Sequence, residues 1–445
     1  MTPLEAVLRC DGIRTVFQPI VDLETSTVVA HEALTRGPGG ALAGPLTLFA
    51  EARRERLLTE LDEACRTTAV RSALDQQRTP TTIFLNAEPE AFTAAPAAAA
   101  WEALAELVAA ATPHLHVVLE ITERDIPTRP ATLLRTIERV RALGWGIALD
   151  DVGVSTASLA FMPLLAPDVV KLDAALVQRR PSSATAQIVH AVNDYAERSG
   201  ALVLAEGIET PRQLAAAQAL GAHLGQGWFL GHPDEQLVRA PRPSRDDHTH
   251  AHDEDEEGHG GDHLHELLDR RGAARRSRSA ATRGSVKESA HASTPFATLS
   301  SDVALRTASK ALLMQLSTQL EEQAARSGQT CILTSAFQHA RHFTAATARR
   351  YEQVAEHAGF VYAVGEAFAD VDVSGVHAAS LPAEDPLCSE WDVAVIGPHF
   401  HAALLARDLG STGPDLERVF EYVVTYRYDT VVAAVRDLLL RVAEQ

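Results

Sequence analysis

Short apolar segments alternate with Ala- and Leu-rich amphipathic stretches along the first half of the chain. Eight of these segments have the length and the Val, Ile and Leu content of strands that are covered on both faces. In chain order they read TVFQPIV, VVAHEAL, TTIFLNA, HVVLEIT, GIALDD, DVVKLD, ALVLAEG and HLGQGWFL. The stretches between them predict helices near 46–73, 97–111, 131–143, 184–199 and 211–220. Because strands separated by helices pair in parallel, the pattern predicts an α/β fold, a (β/α)8 TIM-type barrel.

The first two apolar segments depart from this alternation. Residues 15–21 and 28–34 are separated by too few residues for the crossover helix that a parallel pair requires. They are therefore expected to pair antiparallel. The prediction is a modified barrel with an antiparallel first strand.

A second change of pattern follows Pro233. Residues 241–295 have almost no apolar periodicity, with acidic residues and histidines followed by arginines. Such a segment cannot bury enough apolar surface to offset the loss of chain entropy, so a disordered linker is expected. Its histidines form either a transition-metal-binding tract or part of a solvated spacer. The expected domains are a barrel at 1–238, a linker at 239–296 and a C-terminal domain at 297–445.

The C-terminal domain has a smaller α/β pattern. Its apolar periodicity predicts helices near 302–326, 340–358 and 428–443. The strands expected between them are TCILTSAF, FVYAVGEA and WDVAVIGP. No catalytic group of residues stands out in this part of the chain.

Charge and composition narrow the classes of function. Lys and Arg number 40 against 59 Asp and Glu, a formal charge of −19, which argues against nucleic-acid binding and suits hard metal cations. The four cysteines have no regular spacing, as is typical of proteins of a reducing cytoplasm. The N-terminus has no signal-peptide pattern, and no apolar run reaches the roughly 18 residues of a membrane-spanning helix. A cytoplasmic protein without a membrane span is expected.

Polar residues stand within or at the end of every predicted barrel strand. In a barrel the strand ends converge on one mouth, where active sites lie. Five carboxylates and an Asn in one cavity would repel one another without cations, and hard oxygen ligands select Mg²⁺ or Mn²⁺. The residues are Gln18, Glu32, Asn86, Glu120, Asp150 with Asp151, Lys171, Glu206 and Gln226.

The adjacent carboxylates of Asp150 and Asp151 are suited to flanking two metal ions. A pair of ions is a standard device for hydrolysing phosphodiesters. Lys171, the only lysine in the first 286 residues, would add a compact positive charge for a phosphate or an attacking water. Arg36, four residues past Glu32, would hold a phosphate by its planar guanidinium.

These residues carry a family resemblance. The segment HEALTR at 31–36 resembles the E-A-L-x-R motif of EAL-domain cyclic di-GMP phosphodiesterases, and six further blocks of that family follow in order. They are FLNAEP (84–89), LEITE (119–123), ALDDVG (148–153), VVKLD (169–173), AEGIET (205–210) and GQGWFLGHP (225–233). The resemblance covers about 10–235 and implies hydrolysis of cyclic di-GMP to linear pGpG.

The resemblance also implies a role for each matching residue. The first metal would be held by Glu32, Asn86, Glu120 and Asp150. The second would be held by Asp150 and Asp151, with Glu206 nearby as a ligand or general base. Lys171 would position the nucleophilic water, and Glu123 would brace a loop beside the metals. Gln18 and Arg36 would contact the substrate, and Glu209 and Gln226 would complete the pocket.

The loop after Asp151 departs from the family pattern. Where the family has D-D-F-G-T-G-Y-S-S, this chain has DDVGVSTAS at 150–158. In the family this loop links the metal site to a dimer interface, so a homodimer through the barrel is an open expectation. Because all implied ligands are kept, an active enzyme is the leading hypothesis. A non-catalytic cyclic di-GMP receptor is the second, and a pure protein-interaction scaffold is the third.

The C-terminal domain resembles the DICT domain, a sensory module found with cyclic di-GMP enzymes. The resemblance rests on SAFQHARHFTAATARRYEQVA, on the WDVAVIGP strand and on the terminal helix, and it covers about 298–440. It implies that a ligand or protein partner, whose identity the sequence leaves open, regulates the barrel.

Overall fold

Eight strands close into a barrel in the first part of the chain. The computed structural model describes residues 2–10, 12–76, 80–87, 97–110, 115–122, 130–154, 157–238, 264, 294–301, 303–411 and 414–441. The barrel strands are β1 (Arg14–Asp22), β2 (Val28–Arg36), β3 (Thr81–Asn86), β4 (Leu115–Thr122), β5 (Gly146–Val152), β6 (Val169–Leu172), β7 (Leu202–Ala205) and β8 (Leu224–Gly225). The helices of this region are α1 (Pro3–Arg9), α2 (Pro45–Glu55), α3 (Leu58–Gln76), α4 (Ala97–Ala110), α5 (Pro130–Ala142), α6 (Ala157–Leu165), α7 (Ala174–Gln178), α8 (Ser183–Ser199) and α9 (Pro211–Ala219).

The modified barrel is confirmed. Strand β1 pairs antiparallel with both β2 and β8, and every other neighbouring pair is parallel. The short β1–β2 connection allows only this arrangement, because a parallel pair needs a long crossover. In this register Gln18 lies opposite Glu32, so that two polar residues from the first hairpin meet at the barrel mouth.

The helices differ from the prediction in two ways. The helix expected at 46–73 is two helices, because Arg56 adopts a left-handed backbone with φ of 59° and ends α2. Three further helices, α1, α6 and α7, lie outside the predicted stretches. Helices α1 and α7 have only seven and five residues, which is too short for a clear amphipathic period.

Apolar side chains from the strands fill the barrel interior. Members of this cluster include Ile20, Phe84, Val118 and Val169, all fully buried. Leu264, which falls in the segment expected to be a linker, is 2% exposed and packs in the same cluster. The other residues of 239–296 that precede Thr294, including the His-rich tract, lie outside the described residues.

A seven-stranded mixed sheet forms the core of the C-terminal part. The strands are β9 (Arg306–Ser309), β10 (Ile332–His339), β11 (Phe360–Glu366), β12 (Val376–Leu381), β13 (Glu390–Ile396), β14 (His401–Asp408) and β15 (Val419–Thr425). Their order across the sheet is β12-β11-β10-β13-β14-β15-β9, and the two pairs β10–β11 and β11–β12 are parallel. The helices are α10 (Lys310–Ser327), α11 (Ala345–Ala355) and α12 (Tyr428–Leu440).

Four of these seven strands were not predicted. The helix expected from 302 begins at Lys310, because Arg306–Ser309 pair with β15 as an edge strand. Strands β9 and β12 lie at the two sheet edges and are mostly exposed or half-buried, so they lack an apolar pattern. Strands β14 (HAALLARD) and β15 (VFEYVVT) are apolar, and the prediction lacks both.

Contacts divide the chain into two units. The first comprises 1–123, 136–154 and 167–281, and the second comprises 124–135, 155–166 and 282–445. Helix α6 therefore belongs to the second unit. Within that unit the rings of Phe161 and Phe360 pack 5.1 Å apart, and Arg436 Nη1 donates a hydrogen bond to the Leu164 carbonyl at 2.6 Å. Among the described residues, no helix combines the length and apolar content needed to cross a membrane.

Candidate active site

Strand alternation brings the predicted polar residues together. Side chains two apart on a strand share a face, and each site residue stands two positions from a side chain of the barrel interior. The pairs are Ile20 and Gln18, Ala30 and Glu32, Phe84 and Asn86, Val118 and Glu120, Ala148 and Asp150, Val169 and Lys171, Leu204 and Glu206, and Leu224 and Gln226. The polar residues therefore form a layer above the apolar interior, at one mouth.

Lys171 lies at the centre of this layer. Its side chain is 1% exposed, and its Nζ lies 2.5 Å from Glu120 Oε1, 2.8 Å from Glu206 Oε1 and 2.9 Å from Asp150 Oδ1. Glu32 Oε2 is 3.9 Å away. One ammonium thus faces four carboxyl groups.

Asp151 joins the layer through an unusual backbone. Strand alternation would direct its side chain away from that of Asp150, but its φ of 57° is left-handed and turns the chain. Carboxylate oxygens of Asp150, Asp151 and Glu206 lie within 4.8 Å of one another. Gly153, with φ of 119°, continues the turn, and a Cβ there would lie 2.7 Å from Leu176 Cδ1. The backbone therefore places two consecutive carboxylates beside one cation site.

Amide side chains orient Glu32. Asn86 Nδ2 donates to Glu32 Oε1 at 3.0 Å, and Gln226 Nε2 donates to Glu32 Oε2 at 2.6 Å. Gln226 Nε2 also lies 3.1 Å from Gln18 Oε1, and Gln18 Nε2 donates to the Gly231 carbonyl at 3.3 Å. Because Asn86 uses its nitrogen here, its oxygen is left to act as a ligand.

Burial and charge shift the pKa values of the group. Burial raises the pKa of Glu120 well above its usual range, and the charges of Glu32 and Asp150 add to the effect. Burial likewise raises the pKa of Glu206 to about 8, against the attraction of Lys171. The pKa of Lys171 is raised although burial opposes this, because the surrounding carboxylates outweigh it. For Glu32, burial is outweighed by Lys171 and two amide donors, and its pKa is lowered.

Buried oxygens without donors test whether a cation fits this site. Glu120 Oε2 and Gln226 Oε1 are buried and have no hydrogen-bond partner among the described residues. Glu120 Oε1 and Asp150 Oδ1 lie near Lys171 Nζ but outside hydrogen-bond geometry. Buried carboxylate oxygens are rarely left in this state, and a divalent cation with oxygen ligands would satisfy them. The residues present therefore fit a divalent metal ion.

A cavity of about 280 Å³ opens beside these carboxylates. Glu32, Asn86 and Arg36 line it, and Arg36 is half-buried with Nη1 donating to the Thr35 carbonyl at 2.9 Å. Its lining also includes an ion pair that the sequence analysis did not single out, formed by Asp62 and Arg66 of α3.

Arg66 and Asp62 are almost completely buried, and the Arg66 guanidinium lies 4.1 Å from the centroid of the Trp101 ring. The signal in the sequence was a pair of opposite charges spaced i, i+4, which is common on exposed helix faces. Only the position of α3 against the cavity distinguishes this pair from a surface pair.

One predicted residue, Glu209, is not brought into the group. The Glu209 side chain is exposed just before α9. The backbone N–H of Glu209 donates a hydrogen bond to Gln213 Oε1 at 2.8 Å. Glu123 lies outside the described residues, as do Ser155 and Thr156 of the altered loop.

Comparison with known families agrees with this geometry. The EAL-domain family matches residues 4–233. A second family, described as a sensory domain in diguanylate cyclases and two-component systems (DICT), matches residues 295–409. The two matches fall on the barrel and on the C-terminal sheet.

Individual relatives match about half of this chain. The uncharacterised protein Rv1357c of Mycobacterium tuberculosis is 31% identical over 229 residues, which are 48% of this chain and 73% of that protein. The cyclic di-GMP phosphodiesterase NbdA of Pseudomonas aeruginosa is 28% identical over 54% of this chain and 32% of its own length. A Klebsiella pneumoniae BlrP1 structure with manganese and cyclic di-GMP aligns with a TM-score of 0.45 at 27% identity, over 50% of this chain and 56% of that one.

The EAL family match covers more than half of the chain and includes every residue of the polar layer. Each block that resembles the family contributes at least one residue to the layer: Glu32, Asn86, Glu120, Asp150 with Asp151, Lys171, Glu206 and Gln226. This chain belongs to the EAL-domain family and carries a C-terminal DICT domain.

Proposed function

We propose that the protein hydrolyses cyclic di-GMP to linear pGpG with two divalent cations, Mg²⁺ or Mn²⁺. The observation that carries the proposal is the group of Asp150, Asp151 and Glu206 carboxylates within 4.8 Å of one another, next to Lys171. The family match and the relative described as a cyclic di-GMP phosphodiesterase support the choice of substrate.

The proposed metal ligands come from five strand ends. Glu32, Asn86, Glu120 and Asp150 would hold one ion, and Asp150 with Asp151 would hold the other, with Glu206 beside them. Bound there, the cations would polarise the phosphodiester and lower the pKa of a water. The protein's own contribution is to fix these oxygens before substrate arrives, because Asn86 and Gln226 lock the Glu32 carboxylate by hydrogen bonds.

Lys171 and Arg36 take different parts in this proposal. Lys171 Nζ, held by three carboxylates at 2.5–2.9 Å, can donate a hydrogen bond to the attacking water while keeping its charge. Arg36 lines the adjoining cavity, where its planar guanidinium suits a non-bridging phosphate oxygen pair. Gln18, which pairs with Glu32 in the β1–β2 register, would also contact the substrate.

The direct test is product analysis with purified full-length protein. Cyclic di-GMP is incubated with Mg²⁺ or Mn²⁺, and the products are separated by ion-pair chromatography. We expect linear pGpG from the wild type and from Glu63→Ala, an exposed acid on α3. We expect a loss of at least 100-fold from Glu32→Ala, as is usual when a metal-holding or charge-stabilising group is removed. Equal rates for both variants would refute the assigned site.

A second candidate function is a cyclic di-GMP receptor without turnover. The altered loop favours it, because Val154, which stands where the family has Thr, is 50% exposed and has no hydroxyl to offer. Isothermal titration in Ca²⁺ separates the two candidates. Binding without pGpG formation in Mg²⁺ or Mn²⁺ would establish the receptor, and no binding at all would leave the protein-interaction scaffold.

We also propose that the DICT domain regulates the barrel through α6. This helix begins six residues after Asp151 along the chain, and its own packing partners lie in the second unit. Phe161 packs on Phe360, and Leu164 accepts a hydrogen bond from Arg436 of α12. A change in the sensory sheet or in α12 would therefore act on the segment that leads out of the carboxylate pair.

A further inference from the structure

A cavity of about 400 Å³ lies within the second unit, apart from the polar layer of the barrel. It is bounded by α10, by the end of β10, by the start of α11 and by Trp391 of β13. This volume is in the range of small-molecule sites, and the family description of this unit as sensory names no ligand for it.

One wall of the cavity is aromatic and preformed. Phe337 is 7% exposed and is held by ring contacts with Tyr351 at 5.4 Å and Phe343 at 5.0 Å. Trp391 is half-buried and packs edge-on against Phe420 at 5.9 Å. At the mouth, Met314 is 41% exposed. Rigid rings beside exposed apolar side chains in a concave site favour a ligand with a flat apolar body.

The backbone at the edge of this wall is strained. Gln338 lines the cavity and has φ of 30°, a conformation that non-glycine residues rarely adopt. It lies where the β10–β11 register shifts, between Ala336 and His339. Bulges and strained residues cluster at functional sites, because they redirect side chains there. Here the bulge leads into the turn that carries Arg341 and His342.

The charges of the lining do not balance. Glu321 is paired with Arg350 and also accepts a hydrogen bond from Tyr351 at 3.3 Å. Asp415 lies 2.6 Å from Lys310 Nζ. Arg341 has no carboxylate partner among the described residues, so the lining carries one positive charge in excess. This excess stands out in a chain whose formal charge is −19.

The hydrogen-bond donors around His342 outnumber the acceptors that its ring offers. Lys310 Nζ lies 3.3 Å from His342 Nδ1, and Arg341 Nε lies 3.4 Å from His342 Nε2. A neutral imidazole accepts at only one nitrogen, so one of these cations faces a ring N–H instead of an acceptor. Burial, together with the charges of Lys310 and Arg341, lowers the pKa of His342 to about 4, which keeps the ring neutral near pH 7. An anionic oxygen between the two cations would supply the missing acceptor.

We propose that this cavity binds a small aromatic monoanion, whose ring lies against Phe337 and Trp391 and whose anionic group pairs with Arg341 and Lys310. A single anionic group matches the one excess positive charge. A nucleotide with several phosphates does not match, because Arg350 and most of the Lys310 charge are already neutralised by carboxylates.

The test uses two fluorescent probes that differ only in the presence of an anionic sulfonate group. 1-Anilinonaphthalene-8-sulfonate carries one sulfonate, and N-phenyl-1-naphthylamine is its neutral counterpart. Each is titrated into the full-length protein. We expect the anionic probe to bind at least ten-fold more tightly, and an excess of indole-3-acetate to displace it where indole-3-acetamide does not.

Variants locate the bound probe. Arg341→Gln should weaken binding of the anionic probe about ten-fold, the usual loss for one charge-assisted hydrogen bond. Arg349→Gln, an exposed neighbour outside the lining, is the matched control and should bind as the wild type does. Thr318→Trp, which fills the cavity from α10, should abolish binding, and the circular dichroism spectrum checks that each variant is folded. Equal affinity for both probes, or wild-type affinity in Arg341→Gln, would overturn the proposal.

Discussion

Replacing Lys171 by arginine tests the arrangement of the polar layer most sharply. The ammonium is 1% exposed and fits between three carboxylate oxygens at 2.5–2.9 Å. A guanidinium keeps the charge, but it is planar and longer and cannot occupy the same point. Its extra atoms must enter the space between Glu120, Asp150 and Glu206, where the proposed cations and water would lie.

The expected effects of Lys171→Arg on stability and on kcat follow from this geometry. Overpacking a well-filled site costs about 1–3 kcal/mol, which is roughly 2–4 °C of melting temperature per kcal/mol in a domain of this size. We therefore expect Lys171→Arg to fold. Loss of a fixed catalytic charge lowers kcat by about 10²–10³-fold, and we expect a decrease in that range.

The assay measures kcat for pGpG formation together with the melting temperature. Lys171→Met serves as the second variant, because it removes the charge without adding volume. It leaves four carboxylates unpaired, and breaking a buried pair costs about 3–5 kcal/mol, so added Mn²⁺ should recover much of its stability. If Lys171→Arg kept half or more of the wild-type kcat, the role given to the ammonium would be wrong.

Three further predictions concern other parts of the chain. Burial and the neighbouring Glu390 raise the pKa of Asp392 above its value in the unfolded chain. The protein therefore loses stability as the pH rises from the unfolded pKa toward the folded pKa of this carboxyl group. Asp392→Asn should raise the melting temperature at pH 8 and leave it nearly unchanged at pH 4. Arg436→Gln removes the hydrogen bond to the Leu164 carbonyl. It should change the rate of pGpG formation at least two-fold without changing the affinity for cyclic di-GMP measured in Ca²⁺. An unchanged rate would count against regulation through α6. Leu264→Ala should lower the unfolding free energy of the barrel by about 2–4 kcal/mol in urea denaturation, whereas a residue in a solvated linker would show no loss.

Much of the site was predictable because strand alternation is a short-range rule. Val118 and Glu120 share a face whatever the rest of the chain does, and the same holds for Val169 and Lys171. The antiparallel first strand followed from the length of one connection. The convergence of the side chains then followed from closure of the barrel.

Other features depend on information that is not local. The left-handed backbone of Asp151 is set by its turn, and its sequence predicts only a carboxylate beside another. The edge strands β9 and β12 exist because neighbouring strands pair with them, and their own residues show no apolar pattern. Likewise, only the packing of α3 places Arg66 and Asp62 beside the cavity instead of at the surface.

We propose that the carboxylate layer makes this EAL-family chain an enzyme. One measurement tests it most directly: the rate of pGpG formation from cyclic di-GMP by purified full-length protein in Mn²⁺, with affinity measured in parallel in Ca²⁺. The proposal predicts multiple turnovers in Mn²⁺ that stop when the metal is chelated. Tight binding in Ca²⁺ with no pGpG formed in Mn²⁺ or Mg²⁺ would contradict it.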